Sequence, residues 1–246
     1  MAEVDLSQRP YFALDNPHFA DIIEWLPSVV SHAEVEVVRA EFVRAVEMWS
    51  LDSDTRNICQ RFFPLAALKL GAECRIPIQR LLALDETTLP ALLRGSLTRA
   101  LAIVELGRDP MEDVRGALRT DELRSLDSYQ LVLPLSRAFD GEVRNGGIFQ
   151  FLFNSSGNYA YETLQCLRLM NDEPGFGLLD VAISLVKTEV ESLTPHEATR
   201  KMGTSFFRNK FRDTVAGLEK LYYSQENWEL RAYTFVLEHA ERYRRH

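Results

Sequence analysis

Between Glu142 and Gly157 the chain reads EVRNGGIFQFLFNSSG, the densest run of unusual residues in its 246 positions. Glu142, Gln150 and Asn154 bring one carboxylate and two amides to this run. Asn145, Gly146 and Gly147 tolerate left-handed backbone, so one helix can end there and the chain can turn sharply into the next. Phe149, Phe151 and Phe153 add large apolar area around the turn, and Gln150 and Asn154 are placed to satisfy the backbone groups it exposes. A packed corner is the expected result. Successive glycine amides can also form a nest for an anion, as in phosphate loops, but no P-loop lysine follows these. An enzymatic alternative would draw its site from Glu142, Asn145, Gln150 and Asn154, and it requires a deep pocket holding a carboxylate of strongly shifted pKa.

Other signatures fail on their spacing. His196-Glu197-Ala198-Thr199-Arg200 opens like a zinc-protease helix but puts Arg where the second histidine ligand must stand. Gly175-Phe176-Gly177 has the first two glycines of a dinucleotide loop without the third or a preceding strand. Ser184-Leu185-Val186-Lys187 matches S-x-x-K without its companion motifs. The histidines at 18, 32, 196, 239 and 246 are scattered, and Cys59, Cys74 and Cys166 form no C-x-x-C pair. Three buried thiols in a reducing compartment are expected, with no disulfide framework. The cations and aromatics of Arg200, Lys201, Phe206, Phe207, Arg208, Lys210, Phe211 and Arg212 could bind single strands, but Phe207 and Phe211 fall on a helical packing stripe. A solvated face is the better account. No catalytic residue, metal site or cofactor is therefore expected.

The net charge of −8 is uneven, with 4 basic against 11 acidic residues in positions 1–60 and 11 against 9 in positions 181–246. A negative protein repels nucleic-acid phosphate at long range, so direct nucleic-acid binding is not expected and a basic protein partner is compatible. Glu34, Glu36, Glu41, Glu47, Asp52 and Asp54 form the acidic surface most suited to such a partner. No apolar run approaches the roughly 18 residues that span a bilayer, and Met1-Ala2-Glu3-Val4-Asp5 lacks the basic-then-apolar pattern of a secretion signal. No membrane association and a cytoplasmic location follow as expectations.

The elements that must position these residues read as helices. Residues 1–18, with Pro10 and Pro17, form an extended arm. Val35, Val38, Phe42, Ala45 or Val46 and Trp49 share one face of a helix over 34–50. Asp54 caps the next, which Pro64 should break before a new turn ends at Gly71, and Pro77 opens a short helix to Leu84. Leu89, Leu93, Leu97, Ala100, Leu101 and Val104 make a core helix that Gly107 stops. Asp109-Pro110-Met111-Glu112 should cap another.

From about Asp121 to Arg144 helical spacing continues, with a kink expected at Pro134. Asn158 caps a helix that ends in a loop at Asp172-Glu173-Pro174-Gly175, and Leu178, Ala182, Leu185 and Val186 make the following one. Thr194-Pro195-His196-Glu197 is a second capping box. Beyond Gly203, Phe207, Phe211, Val215, Leu218 and Tyr222 form a stripe, and Leu230, Tyr233, Leu237 and Ala240 mark the last helix. With no alternating strand pattern, the fold class is all-α: a compact, bundle-like arrangement with orthogonal packing and little or no sheet. The division expected is an N-terminal helical region over 1–115, acidic at its start, and a helical domain over 116–246.

The pattern Glu142-x-x-Asn145-Gly146-Gly147-x-x-Gln150-Phe151-x-x-Asn154-Ser155-Ser156-Gly157 resembles the signature of the DNA-mimic protein 19-like domain, a largely uncharacterised bacterial family. The resemblance runs from about Leu123 through the terminal helices and includes Gly217-Leu218-Glu219-Lys220-Leu221-Tyr222-Tyr223. It implies a compact helical domain without known catalysis or cofactor. The family's namesake is an acidic protein whose carboxylates imitate the phosphates of duplex DNA and occupy the DNA-binding face of a transcription regulator. The expected function is thus a non-enzymatic interaction protein, an acidic DNA mimic binding a DNA-binding or basic cytosolic protein. A toxin-neutralising immunity protein, which also uses acidic surfaces, is a further alternative.

Overall fold

The computed structural model describes residues 26–50, 53–85, 87–111, 123, 126–225 and 227–244, and every regular element among them is a helix. The chain divides into two compact units, Met1–Pro110 and Met111–His246. Among the described residues no helix is long and apolar enough to cross a membrane. The expected arm over 1–18 lies outside the described residues.

The first unit consists of α1 (Leu26–His32), α2 (Val35–Met48), α3 (Ser53–Leu70), a 3-10 turn (Gly71–Cys74), α4 (Arg75–Leu82) and α5 (Ala91–Leu106). The central helix is α3, packed against α1, α2 and α5. It runs unbroken through Pro64, contrary to the expected break. An interior proline costs about 3 kcal/mol, but Phe62, Phe63, Ala66 and Ala67 on both sides of it are all buried. Continuing the helix keeps those four in one core, and burying the two phenylalanines alone is worth about 1.5–3 kcal/mol each. Asp54 is not the cap of α3; the helix begins at Ser53, which places Asp54 in its first turn.

Leu93, Leu97 and Ala100 of α5 are fully buried, and Gly107 at φ 72° ends that helix as its position foretold. Asp109 is buried and engaged by the guanidinium of Arg99, whose Nε lies 3.2 Å from Oδ2. The helix expected beyond Pro110 lies outside the described residues.

The second unit contains α6 (Val132–Gly146), α7 (Ile148–Phe153), a 3-10 turn (Ser155–Tyr159), α8 (Ala160–Leu169), α9 (Glu173–Glu189), α10 (Pro195–Met202), α11 (Thr204–Tyr223), α12 (Trp228–Glu238) and α13 (Ala240–Tyr243). Its core gathers α6, α7, α9 and α11: Phe139 meets Phe151 edge-on at 5.1 Å and Tyr222 at 5.4 Å. Such pairs add about 0.5–1.5 kcal/mol beyond area burial.

Pro134 does not kink α6. The helix starts only at Val132, so the proline sits in its first turn, where no amide donor is needed. The preceding residues are held in turns instead, with the Asp127 carboxylate accepting the amides of Tyr129 and Gln130 at 2.9 Å each. Asn158 does not cap α8 either, because its side chain donates to the Ser155 carbonyl at 3.0 Å. Asp172 opens a helix rather than closing one: its carboxylate accepts the Gly175 amide at 3.0 Å, and Pro174 stands at the second helical position. The Thr194–Glu197 capping box forms as read.

In α11 Phe207, Val215 and Tyr222 are buried, and the helix is kinked at Phe211 (φ −116°, ψ 15°). On α12 the buried face is centred on Ala232, Phe235 and Val236 with Trp228 and Tyr233, while the expected Leu230 and Leu237 lie at its edge. The Trp228 indole accounts for part of this shift, since it donates to Ser136 Oγ at 2.9 Å and fixes the helix entry. Cys59, Cys74 and Cys166 are free and buried.

Candidate functional site

The last turn of α6 and the first of α7 meet at Gly147, whose φ of 81° and ψ of 174° lie in a region open only to glycine. Its amide still closes α6 by donating to the Val143 carbonyl at 2.8 Å. The chain then restarts as a helix at Ile148, whose amide lies in the first turn, where no acceptor within the helix is available. Phe149 and Phe151 bury themselves behind this corner, Phe149 stacking on Phe207 at 5.7 Å. Phe153 is half-buried beneath the guanidinium of Arg200 at 5.1 Å.

The polar residues of the motif find each other, not the backbone of the turn. Asn154 Nδ2 donates to Glu142 Oε2 at 2.6 Å, and Gln150 Nε2 donates to the same oxygen at 3.2 Å. The expectation that Gln150 and Asn154 serve exposed backbone is therefore corrected. Glu142 is one turn before the elbow and both amides follow it, so the shared carboxylate draws α6, α7 and the loop after α7 together. Gly157 completes the motif by contact: an added Cβ would lie 2.3 Å from the Leu152 carbonyl oxygen. The small residue allows the 3-10 turn carrying Ser155 to press on α7.

Backbone groups at the elbow are answered from α11. Glu219 Oε1 accepts the Ile148 amide at 3.0 Å, Arg208 Nη2 donates to the Gly146 carbonyl at 2.6 Å, and the Tyr223 hydroxyl donates to the Val143 carbonyl at 2.9 Å. Burial, and then the neighbouring Glu219 charge, raise the Tyr223 phenol above its ordinary pKa, so it remains a donor. In the sequence Arg208 was named only within the basic aromatic stretch, and Glu219 and Tyr223 only within the resemblance; none was assigned to the elbow. The signal was available in their spacing, because positions 208, 212, 215, 219 and 223 recur at three or four along one face of α11.

The inner side of the corner is packed as expected, but the outer side opens. A cleft of about 330 Å3 lies there, lined among others by Arg144, Asn145, Gly147, Arg208, Arg212 and Glu219. Its lining offers guanidinium donors, one carboxylate and a phenol. The anion-accepting position at the Ile148 amide is already taken by the protein's own Glu219.

Other residues with chemical potential are spent on structure. His196 Nδ1 lies 3.0 Å from the Leu152 carbonyl and must donate to it, tying α10 to α7, while Glu197 belongs to the capping box. Phe207 is buried, Lys210 pairs with Glu189 at 2.5 Å, and Arg208 holds the elbow, so the basic aromatic stretch presents no stacking platform built from those residues. Among the described residues no cluster of three His, Cys, Asp or Glu has metal-binding proximity.

The acidic surface is smaller than its sequence. Glu34 at the N-cap of α2 and Glu36 and Glu47 on it are exposed. Glu41 is not part of it: it is 8% exposed and faces Arg44 at 3.9 Å. Helical period explains this, since position 41 lies between Val38 and Ala45 at spacings of three and four, inside the buried stripe. Conversely Val35, placed on the core face by the sequence, is exposed. Glu36 shares the guanidinium of Arg39 with Glu73, which receives Arg39 Nε at 2.7 Å and Nη2 at 3.0 Å. Those hydrogen bonds hold the Glu73 carboxyl below its ordinary pKa. Asp52 lies outside the described residues.

No curated protein and no solved structure matches the chain significantly. Residues 124–239 match the family model described as DMP19-like protein, a span that contains the whole Glu142–Gly157 corner and the α11 residues that answer it. The likeness to that family covers 116 of the 246 residues, all of them in the C-terminal half of the chain.

Proposed function

We propose that the protein is a non-enzymatic interaction protein that binds a basic protein through the outer face of α2. The observation that carries this is the makeup of that face: Glu36, Ala40, Val43 and Glu47 follow one another at spacings of four, three and four, all exposed, with Val43 at 53%. Exposed Glu34 and Val37 flank them. An aliphatic centre with a carboxylate at either end suits a protein surface that offers cations around an apolar contact.

The rest of the molecule supports the reading. A net charge of −8 disfavours direct nucleic-acid binding and favours encounter with a basic partner. Of the four residues of the enzymatic alternative, Glu142, Gln150 and Asn154 hydrogen-bond to one another and so have a structural use, while Asn145 lines the cleft outside the elbow. The DMP19-like resemblance favours a DNA-binding protein as the partner class. Full imitation of DNA phosphates calls for more carboxylates than Glu34, Glu36 and Glu47, and those from Glu3 to Glu24 lie outside the described residues. The cytoplasm is the compartment that three free thiols fit.

The test is affinity capture from the source cells with the full chain and with the E34Q/E36Q/E47Q variant, followed by reconstitution with the purified partner. A partner with a basic face should be lost at high salt and weakened by about tenfold or more in the variant, whose fold is unchanged. Salt-independent binding, or equal binding by the variant, would remove the proposal.

A further inference from the structure

The cleft outside the elbow belongs to the second unit and differs from the α2 face in charge. Its volume of about 330 Å3 falls at the lower end of small-molecule sites, roughly 300–1,000 Å3. Three guanidinium groups line it, and they are not equivalent. Arg144 Nε is paired with Asp140 at 2.8 Å, and Arg208 spends one nitrogen on the Gly146 carbonyl. Arg212, one turn beyond Arg208 on the same face of α11, makes neither an ion pair nor a hydrogen bond among the described residues.

The charge balance selects the ligand. With Arg144 offset by Asp140, Arg208 and Arg212 stand against Glu219 alone, and one oxygen of Glu219 is committed to the Ile148 amide. An excess positive charge remains in the cleft. Guanidinium forks match the two-oxygen edge of a carboxylate or phosphate and hold it by paired, charge-assisted hydrogen bonds. Val215 and Ala216 also line the cleft, as do Ile148 and Phe149, so a ligand with an apolar body gains contact that a bare ion does not.

The walls are fixed before any ligand arrives. Gly146, Gly147 and Ile148 are held by Arg208, by the Val143 carbonyl and by Glu219 respectively. A preformed site avoids the ordering cost that weakens binding to mobile surfaces.

We propose that this cleft is a binding site for a small organic anion, its carboxylate or phosphate head held by Arg208 and Arg212 and its apolar body lying against Val215 and Ala216. The proposal does not rest on the α2 reading, and its test leaves α2 untouched.

The full chain is titrated at low ionic strength with inorganic phosphate, phenyl phosphate and benzoate, by calorimetry and by amide chemical shifts. One of the two aryl anions should saturate a single site, bind more tightly than inorganic phosphate and shift the amides of Gly146, Gly147 and Ile148; which one does so identifies the head group. Arg212→Gln should weaken that probe by about tenfold or more, the loss expected for a charge-assisted contact. The same variant should melt close to the wild type, because Arg212 makes no ion pair or hydrogen bond among the described residues. Three outcomes would overturn the assignment: no saturable binding by any of the three probes, equal affinity of R212Q and wild type, or inorganic phosphate binding as tightly as both aryl anions.

Discussion

The Glu219 carboxylate accepts the amide proton of Ile148 at 3.0 Å, and Gly147 lies so close that a Cβ there would meet the same oxygen at 2.8 Å. The pair is 71 positions apart in the chain, yet it decides whether α7 can start where it does. Gly147→Ala meets two obstacles at once, a backbone region closed to side chains and the Glu219 oxygen. A loss of about 1–3 kcal/mol is expected from the strain. Glu219→Ala should cost about 1 kcal/mol, the usual worth of one such hydrogen bond, and Glu219→Gln less, since its amide oxygen still accepts. Urea denaturation of the three variants should reproduce that order; a G147A protein as stable as wild type would contradict it.

The carboxylate of Glu142 with Asn154 and Gln150 forms a unit, so its members should not act additively. In a double-mutant cycle between Glu142→Gln and Asn154→Ala the coupling energy is expected to be on the order of 1 kcal/mol. Strict additivity of the unfolding free energies would show that the cluster does not hold the corner.

Alkaline pH tests the buried phenols. The Tyr222 hydroxyl donates to Asp140 at 2.8 Å, and burial first, then the Asp140 charge, raise its pKa well above the ordinary value. Tyr243, donating to the Tyr129 carbonyl at 2.6 Å, is raised chiefly by burial. Both pKa values are higher folded than unfolded, so the stability they contribute is complete below the unfolded value of about 10 and falls as pH climbs through the folded one. Denaturation from pH 8 to 11 should show this decline, and Tyr222→Phe with Tyr243→Phe should flatten it. An equal slope in the double variant would refute the assignment.

The three thiols should be silent in the native protein. Burial pushes Cys74 and Cys166 up to about 12, and Cys59 is fully buried with Sγ 3.7 Å from the Ala45 carbonyl. At pH 8 a thiol-specific chromogenic disulfide should modify none of them within minutes, and all three in guanidinium. Rapid native labelling of any one would mean that its unit opens locally.

Much of the fold is legible because helix signals are local. Gly107 stops α5, the Thr194–Glu197 box starts α10, and Leu93, Leu97 and Ala100 of α5 are buried where their period puts them, with Leu101 partly buried beside them. Each of these depends on groups within four residues of one another. Where two local rules compete, the sequence is a poorer guide. Asp172 reads as a loop residue beside proline and glycine, and the same residues also make a helix start with an acidic cap. At Pro64 a local rule lost to burial of the residues around it, and at Glu41 residue type lost to helical period.

What the amino-acid order determined alone is the helical class, several helix ends and the corner at Gly147, since backbone sterics and a three-to-four residue period need no distant partner. What only the tertiary structure decided is the use of that corner. Glu219 and Arg208 reach it from 71 and 62 positions away, and they turn a local break into a braced elbow with a cationic cleft on its outer side. Periodicity says which face a side chain shares; it does not say which backbone group will lie opposite that face once the helices pack.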